Sequence, residues 1–225
     1  MTFPDPPFVL DPPSDGIHYE RRDRHDVYRT AGDGPRPAVV FVHGPWPAEA
    51  PPLRDSQIYR GYGRLVANAG LLAVVPALPF HAPTDVPAAE AALAEIVDAV
   101  RADPAVDADR VAIWAFSGGG WLIGRWLSGS PEWLRCLALT YPALRDDPVV
   151  PGRPIVLTRV GLERQELQTK VDDFLARAKD VGADVQVIDV PDGHHGFDAL
   201  DHTDQSRDAV RAAMAAVAEK LMRRS

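Results

Sequence analysis

The stretch Ala115-Phe116-Ser117-Gly118-Gly119-Gly120 sets one hydroxyl between small residues two positions away on either side. It closes an apolar run at residues 111–115 and precedes Trp121, where a helix is expected to open. A serine on a sharp strand-to-helix turn is held in strained backbone geometry with its hydroxyl clear of the sheet. Such a turn leaves the Gly118 amide at a helix start, where it can stabilise a developing oxyanion. The competing reading of a glycine-rich loop is a phosphate cradle. No Gly-Lys-Ser/Thr follows, and the spacing is not Gly-x-Gly-x-x-Gly, so nucleophilic chemistry at Ser117 is favoured. A serine hydroxyl attacks poorly until a base takes its proton. Residues 191–198 supply two histidines, His194 and His195. The base in turn needs a carboxylate to hold its tautomer. Candidates are Glu163, in the loop after a later apolar run, and Asp192 or Asp198 beside the histidines. Asp172 and Asp173 lie one to two turns into an expected helix, too far away.

These groups need a frame that brings distant loops together. Short apolar runs at 38–42, 71–75, 111–115, 136–140, 155–158 and 185–190 are bounded by Pro and Gly and read as strands buried on both faces. Helical spacing connects them: Leu93, Ile96, Val97 and Val100; Val171, Phe174, Leu175 and Ala178; Val210, Met214, Val217 and Leu221. Strands alternating with helices predict a mostly parallel α/β sheet in one domain, residues 17–225. Residues 18–28 alternate less cleanly and predict an antiparallel edge strand. In open sheets of this kind ligands sit at the carboxyl ends of the strands, where every candidate above lies. Residues 1–16 contain Pro4, Pro6, Pro7, Pro12 and Pro13 and no periodic pattern, so an extended, loosely packed tail is expected.

With this order of elements, the Ser117 turn resembles the Gly-x-Ser-x-Gly elbow of the α/β-hydrolase superfamily, with Ala115 in place of the first glycine. The resemblance covers most of the chain after the tail. It points to compact, dienelactone-hydrolase-like serine esterases: Val42-His43-Gly44 after an early strand, Ser117 in the middle, and a late His195-Gly196-Phe197-Asp198. It implies an α/β-hydrolase fold with helices on both faces of the sheet and no large lid. It also implies His195 as the base and, from the chain order Ser, acid, His, Glu163 as the acid, where relatives usually carry Asp. The loop at residues 43–46 would give a second oxyanion donor. Pro45 has no N–H, so Trp46, or failing that Gly44, is expected to join Gly118. Trp121 and Tyr141, adjacent to the elbow and to a strand end, together with His194 and His81, are the expected substrate-binding residues. His43 is expected to brace its loop, and Cys136 to pack as a small hydrophobe.

The implied activity is a cofactor-independent serine esterase acting on a small or medium carboxylic ester through an acyl-enzyme. Two rivals keep the same residues: a biosynthetic acyltransferase, cyclase or lyase, and a non-catalytic ligand-binding relative. Composition narrows the partners. Lys and Arg number 24 against 32 Asp and Glu, a net charge of −8, which argues against nucleic acid or an anionic membrane as partner. One cysteine forms no internal disulfide and no cysteine-rich metal site. A small-molecule substrate, no metal and a cytoplasmic location are therefore expected.

Overall fold

The computed structural model describes residues 5–223. Among them, eight strands form one sheet in the order β1-β2-β4-β3-β5-β6-β7-β8. In chain order the elements are β1 (Ile17–Arg21), β2 (His25–Thr30), β3 (Arg36–Val42), α1 (Gln57–Asn68), β4 (Leu72–Pro76), α2 (Val86–Arg101) and β5 (Val106–Phe116). They continue with α3 (Gly124–Leu127), β6 (Leu134–Thr140), β7 (Ile155–Leu162), α4 (Gln165–Asp180), β8 (Val185–His194), α5 (Phe197–Leu200) and α6 (Asp204–Met222). From β4 to β8 all neighbours pair in parallel, and β2 pairs antiparallel with both β1 and β4. Each expected apolar run coincides with a strand, with only Leu71 falling just before β4.

Both faces are covered, and this is why the runs read as continuous rather than alternating. Along β3, Ala38, Val40 and Val42 join a layer with α2 and α4, while Val39 and Phe41 face the other layer with α1 and α6. The second layer is aromatic: Phe41, Trp114, Phe116 and Tyr62 pack with ring centroids 4.8–5.9 Å apart. The helices start on side-chain caps where the sequence offers them. Ser56 accepts from the Tyr59 amide at α1, and Thr203 from the Ser206 amide at α6. Among the described residues no helix is long and apolar enough to cross a membrane.

Three expectations need correction. Residues 18–28 fall in two strands, not one: Arg22 N–H bonds the His25 carbonyl at 2.9 Å to close a tight turn, β1 is the antiparallel edge strand, and β2 lies antiparallel between it and β4. The helix expected from Trp121 is a 3-10 turn over Ser117–Leu122 followed by the single α-turn of α3. Three consecutive glycines, each costing roughly 1 kcal/mol relative to Ala in a helix, account for the short element. Residues 1–4 of the proline-rich segment lie outside the described residues; from Asp5 on it is anchored through Phe8 and Val9, not loose. Phe8 and Val9 are buried, the Phe8 ring lies 4.6 Å from Tyr62, and Val9 N–H donates to the Asp198 carbonyl at 2.8 Å. Further along, Asn68 Nδ2 donates to the Pro13 carbonyl at 2.9 Å. Proline removes backbone donors from this segment, so few hydrogen bonds are needed to satisfy it.

Phe8→Ala is therefore expected to lower the unfolding free energy by about 3 kcal/mol, read as a lower denaturant midpoint at constant slope. A loosely packed tail would give no change.

Candidate active site

Ser117 follows the last residue of β5 and has φ +50°, a left-handed conformation that a non-glycine residue adopts only under constraint. The constraint is visible. The Ala143 amide donates to the Ser117 carbonyl at 2.8 Å. A Cβ on Gly119 would sit 2.2 Å from the Val42 carbonyl oxygen, so only glycine lets the elbow close against the end of β3. The hydroxyl of Ser117 lies 2.7 Å from His195 Nε2.

His195 directly follows β8, and Glu163 directly follows β7. The two strands remain paired to their ends, with Leu162 opposite His194, across a register shift between Val160 and Leu162. A Cβ on Gly161 would lie 2.0 Å from the Pro191 carbonyl oxygen, so this irregularity also requires glycine. It brings Glu163 Oε2 to 2.5 Å from His195 Nδ1. The Glu163 side chain is only 6 % exposed, and its other oxygen accepts from the Arg164 amide at 2.8 Å. Such a chain can pass the Ser117 proton to Nε2 while the carboxylate fixes the tautomer and stabilises the imidazolium.

The other acids have other partners. Asp192 accepts from Gln205 Nε2. Asp198 is fully buried and accepts from Tyr62 Oη at 2.8 Å and from Tyr141 Oη at 2.8 Å and 2.9 Å. Burial raises its carboxyl above the usual range, while the hydrogen bonds from Tyr141 and Tyr62 oppose the shift. Burial also drives both phenols well above their ordinary value. Sequence reasoning missed this cluster. The only local signal was an aspartate directly after His-Gly-Phe, which reads equally well as a solvated loop residue.

The expected oxyanion loop requires a correction. Trp46 N–H donates to the Phe80 carbonyl at 2.9 Å, so it is committed to holding the loop. A Cβ on Gly118 would meet Pro45 Cδ at 2.5 Å, which places the pyrrolidine ring against the Gly118 backbone where a second N–H was sought. Gly44 packs beside the nitrogen of Gly118, the other expected donor. His43, buried beneath the loop, donates from Nδ1 to the Gly44 carbonyl at 2.6 Å, as a brace would.

Two expected substrate-binding residues are also placed differently. The Tyr141 hydroxyl is spent on Asp198, and its ring packs 4.8 Å from the His195 ring, a support for the histidine. Tyr141 itself has φ +37°. The His194 side chain is 60 % exposed and turns to Asp201, 3.1 Å away. His81 Nδ1 donates to the Trp46 carbonyl at 2.8 Å, and with His43 and Phe80 it lines a small cavity under the loop. Trp121 is half-buried beside Phe80. Burial pushes the Cys136 thiol up to about 12, as befits a packed residue. Among the described residues no cluster of His, Cys, Asp and Glu could hold a metal ion.

Burial lowers the His43 pKa to about 4. A histidine whose folded pKa lies below its unfolded value of about 6.5 adds stability above the unfolded pKa that is lost as pH falls. Between pH 7 and pH 5 this residue is expected to cost about 2 kcal/mol of unfolding free energy. His43→Gln should remove that part of the pH dependence, measured by denaturant titration at both pH values.

No protein-family model matches the sequence, and no curated protein matches it. Solved structures do. A bacterial heroin esterase aligns with a TM-score of 0.72 and 18 % identity over 96 % of this chain and 88 % of its own. An esterase from Pseudomonas putida aligns with a TM-score of 0.72 and 15 % identity over 93 % and 85 %. A Klebsiella pneumoniae protein assigned as a dienelactone hydrolase aligns with a TM-score of 0.67 and 18 % identity over 87 % and 92 %. With one sheet of eight strands, β2 reversed, and a serine elbow after β5, this chain has the α/β-hydrolase fold.

Proposed function

We propose that this protein is a serine hydrolase that cleaves a carboxylic ester through an acyl-enzyme. The observation that carries the reading is the unbroken hydrogen-bonded chain from Ser117 through His195 to the buried Glu163. Ser117 Oγ attacks the ester carbonyl as His195 Nε2 takes its proton. His195 then gives that proton to the departing alkoxide, and water repeats the sequence to release the acid. Glu163 orients the imidazole and offsets its positive charge. Gly118 N–H faces the oxyanion. The fold shared with two esterases and the dienelactone hydrolase assignment supports the same reading, by analogy.

One observation favours a second reading. With Pro45 lacking an N–H and the Trp46 amide engaged, the loop after β3 supplies fewer oxyanion donors than a fast hydrolase uses, and loss of one costs about 100- to 1000-fold in rate. Acyl transfer to an alcohol or amine acceptor, in place of water, would use the same residues.

A fluorophosphonate probe is expected to modify Ser117 stoichiometrically, mapped by peptide mass spectrometry, with no label on Ser117→Ala. Absence of labelling on folded protein would overturn the hydrolase reading. Glu163→Gln is expected to lower kcat/KM for ester hydrolysis by about 1,000- to 10,000-fold. An unchanged value would remove Glu163 from the mechanism.

A further inference from the structure

A groove of about 310 Å³ lies between the loop after β3 and the histidine loop. Trp46, Leu53 and Ile58 form one side, and Gly196, Ala199 and Leu200 the other. Gly196 follows His195, and Trp46 follows Pro45, whose ring packs on Gly118. Both walls therefore begin at residues adjoining the Ser117 hydroxyl and the Gly118 amide. The walls are held before any ligand arrives: Trp46 Nε1 donates to the Pro51 carbonyl at 2.8 Å, and its backbone is tied to Phe80.

The chemistry of the lining is one-sided. Its exposed atoms are almost all apolar, and Leu200 stands 61 % exposed at its edge. Among the described residues, no Lys, Arg or His lines it. The charged groups that do are two carboxylates, Asp5 and Asp55. Asp55 is paired with Arg21 at 2.5 Å, and Asp5 accepts from the Gln57 amide at 2.9 Å. An anion entering the groove would lose water, meet no cation and face Asp5.

We infer that this groove receives the uncharged apolar chain of the substrate, so that the enzyme selects neutral medium-chain or ring-bearing esters over esters whose chain ends in a carboxylate. The inference rests on the hydrolase reading and extends it to a substrate class. Size agrees with it: a cavity of roughly 150 Å³ accepts a benzene ring, and this groove has about twice that volume. A six- to eight-carbon chain or a substituted ring fills such a space.

Each fully buried methylene is worth roughly fourfold in kcat/KM when its burial is realised in the transition state. Four methylenes separate acetate from hexanoate. A groove open to solvent along one side recovers part of that factor, so a rise of at least about 20-fold is expected. Four esters test it: ethyl acetate, ethyl hexanoate, hexyl acetate and monoethyl adipate. The last replaces the terminal methyl of hexanoate with a carboxylate of similar size.

The expected result is a kcat/KM for ethyl hexanoate or hexyl acetate at least about 20-fold above ethyl acetate, and for monoethyl adipate at least about 30-fold below ethyl hexanoate. Leu53→Lys, which removes apolar wall and supplies a cation, should shrink both ratios. Calorimetric titration of Ser117→Ala with ethyl hexanoate and monoethyl adipate reads the groove without turnover and should show the same order of affinity. Ser117-dependent hydrolysis that ignores chain length, or adipate turned over as well as hexanoate, would overturn the inference and leave the hydrolase reading standing. Selective binding of ethyl hexanoate to Ser117→Ala, with no ester hydrolysed by the unaltered protein, would support the groove and overturn the hydrolase reading.

Discussion

A carboxylate and an imidazole that are 32 residues apart in sequence must meet at hydrogen-bond distance, and most of the sheet serves that meeting. Glu163 and His195 each stand directly after a strand, and those strands are neighbours. Their relative position is set by backbone pairing rather than by loop geometry. A ladder that runs from Ile155 opposite Val185 to Leu162 opposite His194 leaves the two side chains little freedom. The irregularity at Gly161 is the adjustment that puts an acid and a base face to face where regular pairing would keep their backbones in strict register. Ser117 joins from β5, two strands away, held by a left-handed backbone that only close packing on Val42 and Ala143 maintains.

Behind the histidine lies a second layer of control. Asp198 is fully buried and, among the described residues, no cationic side chain is bonded to it, a costly arrangement unless its oxygens are satisfied. Tyr62 from α1 and Tyr141 from the end of β6 supply the hydroxyls, and the Tyr141 ring packs against His195. The same Asp198 accepts the Val9 amide through its backbone carbonyl. One residue thus ties the proline-rich segment, α1, β6 and the histidine loop into a single unit. Truncating any partner would leave a buried polar group unsatisfied, so the loop is constrained from behind as well as from the sheet.

The sequence disclosed the strands and the three polar groups because both depend on short-range patterns. Apolar runs ending in Pro or Gly mark buried parallel strands, and a serine flanked by Ala115, Gly118 and Gly119 carries its own turn chemistry. Glu163 was legible only through chain order, since nothing local separates it from a surface glutamate. What escaped was long-range. Phe8 and Val9 sit in a stretch whose prolines suggest an unpacked tail, and the contacts that bury them, the Tyr62 ring and the Asp198 carbonyl, are long-range. His194 and His195 are adjacent in sequence, yet Asp201 draws one outward while Ser117 and Glu163 hold the other. The engagement of the Trp46 amide with Phe80 involves a partner more than thirty residues away, beyond any motif.

The bond between Val9 and Asp198 also bears on how the molecule assembles. The pairing of β3 with β4 and β5 needs only the first half of the chain, and helices between them keep those contacts relatively local. The seat for Phe8 and Val9 is different. Tyr62 lies nearer to these residues in sequence, but Asp198 lies far along the chain from Val9, so the segment closes one of the contacts of widest sequence separation. Contacts of such wide separation form late because loop closure must precede any gain from them. The segment latches the sheet from behind: Phe8 and Val9 cover the Tyr62–Asp198 layer on which the Tyr141 ring and His195 rest. Packing of the histidine loop is in this sense completed by a docking contact of far wider sequence separation than any strand pairing in the sheet.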